Sequence, residues 1–335
     1  MMRAGGLAGR ALRDAVGERA LSPEPDADLA ASARALAEAC PETLLGLVFF
    51  GSRRTGAAKA NAWSAYDLFA IVTRYGPFYR ALRGSGLSGK SSGVLAAISP
   101  WLAPTQISIA FREPALHAKV SVLTLDAFRR ETSAGRKDHF TIGRLFQPAR
   151  ILYARDVPSR EAIVDGLTSA VAATWQWSRP WLAPAFDVNV YGRRTLEVSM
   201  SWEIRPEPPG RAAALWQAQQ SIQTPVLVAL LEGVQAAGDL RRTDDGLWQL
   251  TQAGSWLDRL RLRIYFSRSI VRSTVRWTKH ILSFEGWLDY IARKASRHTG
   301  EPIVLTERER RWPLVFLWGR AFRYLRDRKA GRTRA

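Results

Sequence analysis

Two positions in this chain of 335 residues combine residue types that handle phosphate. Gly51-Ser52 closes an apolar run, LLGLVFFGS, and Asp67 stands near the start of the next one, YDLFAIV. Glycine lets the backbone approach an anion closely, and the amide N–H groups and serine hydroxyl of such a turn donate to phosphate oxygens. A carboxylate on the following strand suits a divalent metal held against the same phosphates. The pair is equally the mark of a strand, a turn and a second strand with a capping aspartate. Arg53, Arg54 and Lys59 follow the turn, either as triphosphate ligands or as a solvated basic loop.

Other patterns carry less. Gly84 to Ser91 satisfies the GxxxxGKS phosphate-loop pattern, and VSVLTLD resembles its acidic strand. That loop requires a buried apolar strand running into its first glycine, whereas the aromatic and basic RYGPFYRALR precedes it here. A flexible loop near substrate is the better reading. The single cysteine, Cys40, excludes an internal disulfide and a CxxC-type zinc site. The four histidines are far apart, with no HExxH, so His139 and His280 read as structural.

Charge points to the partner. The 49 Lys+Arg and 30 Asp+Glu leave +19, which calls for something anionic: nucleic acid, a membrane surface or a polyphosphate. The 47% apolar fraction is enough for a packed core. No apolar run approaches the ~18 residues needed to span a bilayer, so membrane contact is expected to be peripheral. The basic N-terminal stretch reads as a short amphipathic helix in preference to an organelle presequence.

The elements that must position these residues follow from periodicity. Residues 27–40 read as a helix, and strand-like runs occupy 44–50, 66–72, 106–111, 119–125 and 149–154. Residues 160–177 look helical, and 187–204 alternate enough to be strands. After the PEPPG break come two helical runs, AAALWQAQQSIQ and TPVLVALLEGVQAAG, then a hairpin around Asp245-Gly246. Helices followed by such a hairpin suggest a winged-helix-like module. Residues 261–335 carry 19 Lys+Arg and 6 Asp+Glu, so the basic excess is concentrated at the end. There WPLVFLWGRAFRYLRDRK passes from apolar and aromatic to basic, as membrane-interface segments do; a basic helix packed on the domain through its aromatics is the other reading.

The Gly-Ser turn and Asp67 resemble the polymerase-β-type nucleotidyltransferase fold, whose turn contacts a nucleotide triphosphate and whose next strand bears carboxylates for Mg²⁺. Ser64-Ala65-Tyr66-Asp67-Leu68 stands where Ser-Asp-x-Asp-Leu is expected, with Ala65 at one acidic position. Within that superfamily the chain resembles the mitochondrial-type CDP-diacylglycerol synthases, the translocator assembly and maintenance proteins, which are phosphatidate cytidylyltransferases. That family has a Tyr-Gly-Ser turn and a single aspartate in a Leu-Asp-Phe context, matched by Phe50-Gly51-Ser52 and Tyr66-Asp67-Leu68-Phe69. Lys119 to Val122 is similar to its Lys-Tyr-Gly-Val segment. Gly143 to Pro148 is similar to its Gly-Arg-Leu-x-Lys-Pro box, with Gln147 for lysine. Ser199 to Arg205 is similar to its Ser-Tyr-Ser-Gly-Asp-Phe-Arg segment, with Glu203 at the acidic place. Ile270 to Lys279 is similar to its arginine-rich C-terminal box, two residues shorter. The resemblance covers about 45–285 and no further.

The resemblance implies an α+β chain with a nucleotidyltransferase domain over 27–205 built on a mixed sheet; pattern and charge add an extension over 1–26, a helical, winged-helix-like domain over 211–300, and a basic amphipathic tail over 301–335. It implies CTP and phosphatidate as substrates, CDP-diacylglycerol and pyrophosphate as products, and Mg²⁺ as cofactor. Asp67 and Glu203 would be the catalytic, metal-holding carboxylates, and Gly51, Ser52 and Lys119 would bind nucleotide. Arg144, Arg205, Arg272, Arg276 and Lys279 would bind phosphate on CTP or lipid. The expected location is an anionic membrane surface, on the cytoplasmic face of a bacterium or the matrix-type inner face of an organelle. Two rivals stand beside it. One is another nucleotidyltransferase of this fold acting on RNA, protein or a small molecule; the other is a non-catalytic winged-helix nucleic-acid binder.

Overall fold

The computed structural model describes residues 9–51, 53–54, 65–112, 115–203 and 210–283, then 288, 292, 296 and 304–311. Residues Met1–Ser283 form one compact unit and Phe284–Ala335 another.

The first unit is α+β, built on a mixed sheet. Its strands are β1 (Leu44–Phe50), β2 (Tyr66–Val72), β3 (Thr105–Phe111), β4 (Leu116–Thr124) and β5 (Arg150–Ala154), in the order β3-β4-β2-β1-β5. β2 and β4 run parallel; the other neighbours are antiparallel. Every residue of β1 is buried. A strand covered on both faces shows an unbroken apolar run instead of alternation, which is why LLGLVFF is so plain in the sequence.

Helices cover both faces. On one, Leu47, Phe49, Leu68, Ala70 and Val120 share a core with α2 (Ala27–Ala39) and α3 (Tyr75–Gly84). Asp26 caps α2, its carboxylate accepting from the Leu29 amide at 3.1 Å. On the other face, Val48, Phe50, Phe69 and Ile71 join α1 (Arg10–Leu21), α5 (Leu125–Thr132) and α7 (Val157–Ser178). Asp156 caps α7 at the Ser159 amide, 2.7 Å away. The short α4 (Ser92–Ile98) adds Leu95 to the first of these cores, and α6 (Ile142–Leu145) adds Ile142 and Leu145 to the second.

Three stretches differ from their sequence reading or sharpen it. Residues 187–204 were expected to be strands; residues Val188–Ser201 are helix α8. Asp187 starts it by accepting from the Val190 amide at 2.7 Å, and its buried residues Tyr191, Thr195, Leu196, Val198 and Ser199 follow the helical period. Of the β-branched and aromatic residues that mimic alternation there, Tyr191, Thr195 and Val198 lie on that buried face, while Val190 is exposed. The two helical runs after PEPPG are one helix, α9 (Arg211–Ala236), continuing through Pro225. Gly84 terminates α3 and the segment to Ser91 joins α3 to α4, so the strand a phosphate loop requires is absent before Gly84.

The hairpin at Asp245-Gly246 forms as expected, with β7 (Leu240–Arg242) and β8 (Trp248–Leu250) joined through Gly246 at φ +74°. A two-residue strand, β6 (Ala185–Phe186), pairs with β8 to complete a small second sheet. The long helix α10 (Trp256–Ser283) ends the unit. In the second unit α11 (Glu307–Arg311) starts with a capping box: the Glu309 amide donates to Thr306 Oγ1 at 3.3 Å, and the Thr306 amide to Glu309 Oε2 at 2.8 Å. Among the described residues no helix is long and apolar enough to cross a membrane.

Candidate functional site

The end of β1 brings Gly51 against Asp67. The antiparallel register pairs Phe50 with Asp67, so the chain turns off β1 directly beside that carboxylate. Gly51 has φ +92°, a conformation L side chains rarely adopt, and a Cβ there would lie 2.9 Å from Asp67 Oδ2. Only a glycine meets both demands without strain. The Arg54 amide then donates to the Gly51 carbonyl at 3.0 Å, closing a tight turn. Ser52 and Lys59 lie outside the described residues.

Asp67 belongs to a polar lane on an otherwise apolar sheet face. The parallel register sets Lys119 of β4 beside Asp67, and the antiparallel register sets Ser108 of β3 beside Lys119. One step along the same face come Phe69, Ser121 and Gln106, with Gln106 Nε2 donating to Ser121 Oγ at 3.2 Å. The β1 side of this face is Val48 and Phe50, both core. Asp67 thus stands where apolar packing gives way to polar groups, half-buried and next to a cation.

A second concentration of positive charge flanks the turn. Arg150, at the start of β5, pairs in register with Phe49 and donates Nη1 to Glu24 Oε2 at 2.7 Å. Arg54 follows Gly51 closely, and burial together with the Arg150 charge pushes its guanidinium down from the usual arginine range. Arg19 of α1 is buried; it donates Nη1 to Gln223 Oε1, but its Nε and Nη2 have no partner. Burial first, and then Arg54, pushes Arg19 down as well. The Nε atoms of Arg54 and Arg150 are also buried without partners. Glu24 bonds Arg150 and acts on Arg54, while Arg19 is held by the neutral Gln223, so positive charge outweighs negative among these residues.

The residues assigned by resemblance to phosphate fall into another group. Arg144, Arg272, Arg276 and Lys279 gather around the loop at 101–104 and around Asp138. Arg276 is 1% exposed, and every guanidinium nitrogen is bonded. Nε donates to Leu102 O at 3.1 Å, Nη1 to Ser273 Oγ at 3.3 Å, and Nη2 to Ala103 O at 3.0 Å and Asp138 Oδ2 at 2.5 Å. Lys279 Nζ donates to the Trp101 and Leu102 carbonyls. Burial, reinforced by Arg276, pushes Lys279 down to about 7. These two side chains fasten α10 to the 101–104 loop, a structural duty that the sequence pattern does not separate from ligand binding. Arg272 reaches Asp138 Oδ2 at 3.2 Å with a third of its side chain exposed, and Arg144 lies over Phe140, 3.8 Å from the ring centre, donating to the Phe140 carbonyl. These two are the members of the group open to solvent in part.

Glu203 follows α8, next to Trp202, whose ring stacks on Phe266 of α10 at 5.3 Å. Among the described residues no hydrogen bond or ion pair joins Glu203 to Asp67, and no group of three His, Cys, Asp or Glu side chains could hold a metal. Mg²⁺ is commonly held by one or two carboxylates together with substrate phosphates, so a half-buried Asp67 beside the Gly51 turn fits that mode and does not form an all-protein cage. Arg205 lies outside the described residues.

His139, expected to be structural, is enclosed. Its Nε2 is 3.0 Å from Ser199 Oγ, and Trp177 and Phe266 present their rings edge to face at 4.9 and 5.0 Å. Burial holds it well below the usual histidine range, so it stays neutral at physiological pH. Sequence reasoning missed Asp138, the counter-ion of the arginine group, because a lone Asp between Lys137 and His139 carries no pattern. Arg19 and Arg150 were missed for the same reason. Comparison with known proteins yields no matching family model and no match to a characterised protein.

Proposed function

We propose that the chain is a nucleotidyltransferase that transfers a cytidylyl group from CTP to phosphatidate, giving CDP-diacylglycerol and pyrophosphate. The observation that supports it most is the contact between the positive-φ Gly51 and the Asp67 carboxylate, at the end of β1 and within a positive field. The turn at Gly51-Ser52 would cradle the triphosphate with backbone donors. Lys119, beside Asp67 in register, and Arg54 would neutralise its charge as it grows on the leaving pyrophosphate. Asp67, with Glu203 as the second carboxylate implied by the resemblance, would hold Mg²⁺, which lowers the repulsion between nucleophile and triphosphate and polarises the phosphorus under attack. A phosphate-monoester oxygen of the lipid bonds to the α-phosphorus of CTP while the bond from that phosphorus to the bridging oxygen breaks, and pyrophosphate departs with the electron pair. The nucleophile is already an anion, so no side chain has to take a proton from it. Arg144, Arg272 and Arg205 would meet the lipid phosphate, with Arg276 and Lys279 holding the helix that presents Arg272.

The test is incubation with labelled CTP, Mg²⁺ and phosphatidate-containing vesicles. Wild-type protein should form labelled CDP-diacylglycerol. Asp67→Asn should lower turnover by at least about 100-fold at an unchanged melting temperature, as expected when an electrostatic ligand of the transition state is removed. No lipid product from the wild type, but labelling of RNA or protein, would transfer the reading to the first rival. Near-normal turnover in Asp67→Asn would remove this carboxylate from the mechanism.

A further inference from the structure

The long helix α10 carries an exposed apolar stripe that no element of the described structure covers. Leu257, Leu260, Ile264, Val271 and Val275 are 45, 44, 52, 63 and 38% exposed. At 3.6 residues per turn they fall within about 60° of arc, along about 27 Å of helix. The opposite side holds the buried Phe266, Ser269 and Arg276. Trp256, 71% exposed, stands at the start of the helix.

The charge beside the stripe is of one sign. Between Trp256 and Ser283 there are seven basic residues and one acid, Asp258, whose carboxylate accepts from Ser255 Oγ at 2.8 Å as part of the helix start. Arg261 and Arg268 border the stripe on one side and Arg263 stands beyond its other edge, all three exposed. A second copy of the chain, laid stripe to stripe, would set these arginines against their own kind. An apolar strip with arginines along its flanks and no carboxylate is complementary to a bilayer surface, where acyl chains receive the aliphatics and anionic headgroups the guanidiniums.

We propose that α10 is an interfacial helix whose Leu257–Val275 stripe docks the folded unit on an anionic lipid surface. The proposal stands on exposure and charge and does not depend on the activity argued above, since lipid binding is read without turnover. It is separate from the basic tail over 301–335, which the stripe would assist.

The test is flotation of the full chain with vesicles of phosphatidylcholine alone and of phosphatidylcholine and phosphatidylglycerol in equal parts. Wild type should float with the anionic vesicles and much less with the neutral ones. Leu260→Ser/Ile264→Ser should weaken that binding at least about tenfold, because two exposed aliphatics leave the interface. Its melting temperature should not fall, since neither side chain belongs to the core. The control Gln217→Glu, an exposed site on α9, should float with the anionic vesicles as wild type does. Arg261→Gln/Arg268→Gln should lose affinity for anionic vesicles while leaving the weak neutral binding alone. Unchanged flotation of the serine pair overturns the proposal, as does a wild type that floats with neither vesicle. A wild-type dimer that the serine pair converts to monomer also overturns it, by showing that a second copy covers the stripe. Loss with the arginine pair but not the serine pair would make α10 a general polyanion surface and equally refute it.

Discussion

Replacing Gly51 with alanine tests the candidate site at its tightest point. Alanine at φ +92° is strained, at about 1–3 kcal/mol for a non-glycine residue in a sparsely populated region. The smaller entropy of the unfolded alanine chain offsets about 0.4–1 kcal/mol of this. A net loss of about 1–2 kcal/mol in a unit of this size lowers the melting temperature by about 2–8 °C. The new methyl would also lie 2.9 Å from Asp67 Oδ2, closer than real Cβ contacts, so the carboxylate has to move by several tenths of an ångström. Misplacement by about 1 Å can cost about 100-fold in rate, so turnover should fall about 10- to 100-fold, measured with labelled CTP and phosphatidate vesicles. Gly246→Ala is the matched control: φ is +74° in the hairpin turn, and a Cβ there meets nothing within 4 Å. It should lose similar stability and keep its turnover. If Gly51→Ala melts lower but turns over within about twofold of wild type, the approach of Gly51 to Asp67 has no part in catalysis.

Two further substitutions address the arginine group. Asp138→Asn leaves Arg276 buried without its counter-charge, a change that costs about 3–5 kcal/mol, so thermal unfolding should move down by at least about 6 °C. A shift under about 2 °C would mean that Arg276 keeps its charge at no cost, and that the pair does not hold α10. Lys279 sets a pH dependence. Its folded pKa of about 7 lies below the ordinary lysine value of 10.5, so between these pH values the unfolded chain binds more protons and stability rises with pH. From pH 7 to 9 the gain approaches about 2 kcal/mol relative to Lys279→Met, at about 1.36 kcal/mol per pH unit once the folded form is neutral. Parallel wild-type and Lys279→Met stability curves over that range would show that the two loop carbonyls keep Lys279 charged.

What was legible in the sequence, and what was not, follows from how far each residue's role depends on distant chain. The strands flanking Gly51 and Asp67 were plain because a sheet buried on both faces writes itself as apolar runs, and glycine is what a positive-φ turn selects. The mixed α+β architecture follows from those runs and the helices between them. α8 was missed because Val188, Val190, Tyr191 and Val198 look like strand residues, while the asparagine, glycine and arginines between them blur the period. The partner of Asp67 was out of reach: Lys119 arrives beside it through a parallel pairing that local alternation does not specify. The arginines show the same limit on one helix. Arg268 and Arg276 are both basic residues amid apolar neighbours, eight positions apart, yet the first faces solvent and the second is sealed against Asp138 and two carbonyls. Eight residues advance the helix by about 80° past two full turns, enough to carry a side chain from the exposed stripe's flank to the core side. A basic motif read along the chain therefore counts charge without locating it. Which arginines can meet a phosphate or a membrane depends on helical phase against a core that only the fold supplies.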